Sequence, residues 1–100
     1  MIKGTTPTHI FTLPFGAETI KTIQIIYAQN GVEKLTKSNA DCALEGNSVS
    51  VKLTQEDTFA FADDACVEVQ VRVLTMGNDA LASRVMRVHC HECLSDEVLT

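Results

Sequence analysis

Between Val49 and Val73 the chain alternates. Val49, Val51 and Leu53 are apolar, and Ser50, Lys52 and Thr54 between them are polar. After a polar corner, Val67, Val69, Val71 and Val73 alternate with Glu68, Gln70 and Arg72. A side-chain period of two over both runs belongs to strands with one buried face and one wet face. Most of the remaining chain reads the same way. Strands are expected at residues 7–13, 20–29, 32–38, 41–44, 48–54, 66–74 and 80–91. Turn signals recur roughly every 8–12 residues, the spacing of an all-β sandwich or barrel. Pro7 and Pro14 bracket the first strand, which suits a residue unable to donate to a ladder. In the second, Ile23, Ile25 and Tyr27 share one face, and Ile26 lies on the other. Asn30-Gly31 follows, a strong signal for a two-residue type I′ hairpin. The third strand is more polar and belongs near an edge. Gly46-Asn47 and Gly77-Asn78-Asp79 mark further turns. Residues 94–100 read as a tail that extends a strand or docks on a neighbour.

Only Leu53–Ala62 has helical character. Thr54 can serve as an N-cap, and Asp57 three positions on imitates the capping box. One short helical turn is therefore expected near residues 54–58. It would link strands of different sheets, with Phe59 and Phe61 competing for the core. Seven strands in this order predict an all-β, antiparallel, immunoglobulin-like sandwich, its two sheets about 10 Å apart. One hundred residues form a single domain, 1–100, and hide roughly 60–70% of the unfolded surface. With no tryptophan and one tyrosine, the core rests on Val, Ile, Leu and four Phe. The disulfide and tryptophan of antibody domains are not evident.

Composition narrows the function classes. No stretch approaches the roughly 20 apolar residues of a membrane-spanning helix. The opening MIKGTTPTH lacks the apolar run of a signal peptide, so the expected location is the cytoplasm of the producing cell. The net charge is −5, and the basic residues are scattered singly, which leaves nothing to track a phosphate backbone. Nucleic acid is not an expected partner. Glu56-Asp57, Asp63-Asp64 and Asp96-Glu97 lack the spacing of a dedicated calcium loop and read as solvated loop charge.

The sharpest local chemistry is His89-Cys90-His91-Glu92-Cys93. Thiolate and imidazole are the ligands zinc prefers, and a structural site wants four. Cys90, Cys93, His89 and His91 are therefore the zinc candidates. In an extended strand, however, Cys90 and Cys93 point to opposite faces. The alternative puts Cys90 on the core face, with His89 and His91 outside. Cys42 and Cys66 read as small core residues, and all four cysteines as free thiols. No GxSxG elbow and no glycine-rich phosphate loop is present. A non-enzymatic protein is expected, with no catalytic residue and no cofactor. Apolar residues outside the core pattern, Ile26, Leu74, Met76 and Val85, make contact with other protein chains, copies of this one included, the expected mode of action through a sheet face or an open edge.

The opening GTTPTHIFTLPF, the segment DCALEGNSVSVKLTQEDTFAF and the run VEVQVRVLTMGNDALASRV resemble a group of short proteins encoded in prophages of gut Firmicutes. The resemblance spans nearly the whole chain, and its motifs are structural. It implies a virion structural or assembly component of head, neck, tail or baseplate, with other virion proteins as partners. The HCHEC segment departs from that group.

Overall fold

The computed structural model describes residues 1–100. Eight strands and one short α-helix follow in order: β1 (Thr8–Thr12), β2 (Ile20–Gln29), β3 (Val32–Ser38), β4 (Cys42–Glu45), β5 (Ser48–Lys52), α1 (Gln55–Phe59), β6 (Ala65–Thr75), β7 (Ala80–Ala82) and β8 (Met86–Cys90). Single 3-10 turns at Ala17–Thr19 and Asn39–Asp41 lie outside the one segment expected to be helical. They form two antiparallel sheets. One has the order β1-β5-β4; the other runs β3-β2-β6-β7, with β8 also paired to β6. The expected sandwich is therefore present, and the second and third strands have the bounds read from the sequence.

The core follows the alternation. Ile23, Ile25, Tyr27, Val49, Val51, Leu53 and Val67 are fully enclosed, joined by Val69, Val71 and Val73. Asn30 and Gly31 both take positive φ, 51° and 76°, as a type I′ turn demands. α1 begins as its sequence indicates. The Thr54 hydroxyl accepts from the Asp57 N–H, and the Asp57 carboxylate accepts from the Thr54 N–H. This capping box satisfies two donors that the first helical turn leaves free. α1 carries the chain from β5 to β6, between the sheets, and the competition beside it is decided: Phe61 is buried and Phe59 only partly so.

Two readings need correction. The strand expected over residues 80–91 is broken into β7 and β8. At Ser83 the side-chain hydroxyl, rather than a carbonyl, accepts the Val71 N–H at 3.0 Å, and it donates to the Arg84 carbonyl at 2.9 Å. A side chain that takes a ladder position interrupts the strand there. Cys66, expected in the core, is exposed. It lies one residue before buried Val67, so the period of two turns it outward. Cys42 is half-buried against the core.

Candidate functional site

The two sheets differ in width, and that difference makes the most distinctive surface. The smaller sheet ends at β1, while the larger continues past it through β7 and β8. The register pairs Val73 with Leu81, Val69 with Met86 and Val67 with Val88. Leu81, Met86 and Val88 therefore face inward with the core valines. No strand of the smaller sheet covers this row. Leu81 is 45% exposed and Met86 38%, although both belong to the inner face. Further along, Cys90 is fully buried. The result is an apolar groove of about 460 Å³, walled by Ile10, Phe11 and Phe15 on one side and by Leu81 and Met86 on the other, with Val71 and Val73 at its floor. It continues past His9 and Val88.

The groove runs beside an unpaired backbone edge. Leu53 donates to the Pro7 carbonyl and Leu13 to the Asn47 carbonyl. With the register His9 to Val51 and Phe11 to Val49, the odd-numbered residues of β1 address β5. Antiparallel ladders alternate, so the N–H and C=O groups of Thr8, Ile10 and Thr12 point away from β5, along the open edge. No local pattern of residues marks this groove. Ile10 and Met86 appear within ordinary alternating strands, and only the strand count of each sheet exposes them.

The zinc candidates divide. His89 and His91 project from the outer face, both exposed, with ring centroids 4.5 Å apart. Cys90, between them, is enclosed in the core, where burial first of all pushes its thiol pKa up. Cys93 is half-buried beyond the strand. The group that the fold does assemble is Asp64, His89 and His91, whose ligand atoms all lie within 4.8 Å of one another. By sequence alone Asp64 belongs to solvated loop charge. Its part in this group depends on the pairing of Ala65 with Cys90, which no local pattern announces.

A third polar feature lies within the sandwich. His9 Nδ1 and the Tyr27 hydroxyl are 2.7 Å apart. Burial lowers the His9 pKa, and the Met1 amino group lowers it further. Burial raises that of Tyr27. Both therefore stay neutral near pH 7 and share one hydrogen bond.

In the lettering used for immunoglobulin domains, β1, β5 and β4 occupy the positions of B, E and D. β3, β2, β6 and the β7–β8 path occupy C′, C, F and G. The chain is thus an immunoglobulin-like β-sandwich, in which the position of strand A beside β1 is vacant. Residues 1–3 lie elsewhere, with Ile2 bridged in parallel to His91. β1 contains no cysteine and all four cysteines are free, so the disulfide that antibody domains carry between B and F is absent. No family model matches the chain, and no curated protein does. Among solved structures it is similar to the V domain of amphioxus IgVJ-C2. That match has 12% identity and a TM-score of 0.39, and covers 91% of this chain and 95% of that one.

Proposed function

We propose that this protein is a non-enzymatic interaction module that accepts an extended segment of a partner protein in the vacant position beside β1. The unpaired edge of Thr8, Ile10 and Thr12 next to the apolar groove carries this reading. An added strand would find main-chain partners along β1 and pockets for alternate apolar side chains over Leu81 and Met86, as β-strand addition requires. The occupant is therefore a strand with apolar residues at every second position. It would extend the smaller sheet to four strands and cover the inner row of β7 and β8. The resemblance to prophage proteins supports a partner within a phage particle of head, neck, tail or baseplate, met in the cytoplasm of the producing cell during assembly.

The test is pairwise co-purification with the products of the neighbouring genes, followed by hydrogen exchange on the complex. The amides of Thr8, Ile10 and Thr12 are expected to become protected. Met86→Asp, which places a charge in the groove, is expected to abolish the complex. Ile10→Pro removes one free N–H from the edge without touching the β5 ladder and is expected to weaken it. Protection confined to another face would refute the reading. So would a concentration-dependent dimer, seen by light scattering, that ignores both substitutions.

A further inference from the structure

We infer that the outer face of β8 carries a binding site for a divalent transition-metal ion, with His89, His91 and Asp64 as its protein ligands. This site lies on the opposite face of β8 from the groove and is independent of the strand-addition reading.

The placement follows from the backbone. His89 and His91 are two residues apart on one extended path, so both imidazoles leave the same face. Opposite them, the pairing of Cys66 with His89 and of Ala65 with Cys90 brings Asp64 level with His91. Asp64 Oδ1 is 3.7 Å from His89 Nε2. Its neighbour Asp63 is occupied by Lys3 at 2.7 Å, which leaves Asp64 as the carboxylate facing the histidines. The backbone that carries the rings is held from both sides. β6 pairs along one edge. Along the other, the His91 N–H donates to the Met1 carbonyl at 2.8 Å, the Lys3 N–H donates to the His91 carbonyl at 3.1 Å, and the Met1 amino group donates to the His89 carbonyl at 2.8 Å.

Zinc bonds nitrogen and carboxylate oxygen at about 2.0–2.2 Å, which in a tetrahedron puts ligand atoms roughly 3.3 Å apart. The three groups, within 4.8 Å of one another, reach that spacing by small rotations of exposed side chains. Two imidazoles among three ligands select zinc, copper or nickel over calcium or magnesium, which prefer oxygen throughout. Three protein ligands leave a coordination position for water or for a side chain of another molecule. Cys90 takes no part because it faces the core, and Cys66, although it lies on the same outer face opposite His89, is not in the group whose ligand atoms converge.

The experiment is equilibrium dialysis of the chelator-treated full chain against zinc sulfate, with cobalt as a spectroscopic substitute. One equivalent of zinc is expected. His89→Ala, His91→Ala and Asp64→Ala should each weaken binding by about tenfold or more, the least that even an outer-shell partner contributes. Cys93→Ser should bind as the parent does. Cobalt should give a visible spectrum without sulfur-to-metal charge transfer. All three ligands are exposed, so circular dichroism should show each variant folded. Zinc retained no better by the parent than by a His89→Ala/His91→Ala double variant would overturn the assignment. Loss of binding in Cys93→Ser, or a cobalt–thiolate band, would do so equally.

Discussion

The two flanks of this sandwich have the same sequence pattern and different degrees of closure. Beneath α1, Tyr27, Leu53, Phe61 and Val67 are sealed, with Tyr27 and Phe61 rings packed 5.9 Å apart. Along the β1–β7 flank, Phe11 is only half-buried, and Leu81 and Met86 stand open although they face inward. The valines on both flanks alternate with polar residues in the same way. What differs is the number of strands opposite: a three-stranded sheet lies across from a wider one. Alternation decides which way a side chain points, and the layer above decides whether it is buried.

Polar ties deepen the contrast. On the closed flank, Lys37 of β3 pairs with Asp57 of α1 at 2.8 Å, and both side chains are largely shielded. Buried Gln29 accepts from the Ala62 N–H and donates to its carbonyl. The buried Thr58 hydroxyl donates to the Thr5 carbonyl. These bonds fasten α1 and its flanking loops to the sheets. The groove side is held by the β1–β5 ladder and by Ser83, and its tie from one sheet to the other is the bond between His9 and Tyr27 at the boundary of the two flanks.

The largest expected effect breaks the comparison most directly. Phe61→Ala should cost about 3–5 kcal/mol, the range for emptying a closed aromatic site. Met86→Ala should cost about 1 kcal/mol or less, since its side chain is already partly in water. Urea denaturation of both variants decides the matter. Similar losses would mean that the groove is closed in solution.

The next effect is smaller. Asp57→Ala removes the acceptor for the Thr54 N–H and the partner of Lys37, and should cost about 1–2 kcal/mol. Burial pushes the Asp57 carboxyl up, but Lys37 and Thr54 together hold it below its ordinary 3.8. A depressed folded value means that the contribution is complete above about pH 4 and is lost as the pH falls through the folded value. The loss caused by Asp57→Ala should therefore be full at pH 7 and shrink in strongly acidic urea titrations.

How much of this was legible in the sequence divides along the same line. Strand positions, the Asn30-Gly31 turn and the Thr54–Asp57 capping box are set by neighbours in sequence, so local chemistry identifies them. The break at Ser83 depends on a hydroxyl that replaces a carbonyl across the ladder, and a run of apolar residues does not reveal that. Cys66 was legible but misread: its own strand's alternation turns it outward. The Asp64–His89–His91 group and the groove both depend on which strands become neighbours. The HCHEC spacing points to Cys90, Cys93, His89 and His91, whereas sheet pairing sets the two histidines beside Asp64 and leaves the cysteines out. A period of two gives the facing of a side chain and leaves its cross-strand partner open.

The smallest effect tests the boundary between the two flanks, where His9 touches Tyr27 on one side and the groove on the other. Folding lowers the His9 pKa from 6.5, chiefly by burial. The unfolded chain therefore takes up a proton at a higher pH than the folded one does. By linkage, the His9 contribution is whole above about pH 6.5 and is lost as the pH falls toward the folded value. In the imidazolium both ring nitrogens donate, so the Tyr27 hydroxyl must then accept from Nδ1. His9→Gln keeps a polar group at the position and removes the titration. Between pH 7.5 and 5.5, the parent should lose more stability in urea than His9→Gln does. A partner strand laid beside β1 would shield His9 further, so the difference between parent and variant should grow in the complex. Equal losses in the two free proteins would mean that water reaches His9 through the groove well enough to cancel its burial, and the open flank would then extend to the ring of Tyr27.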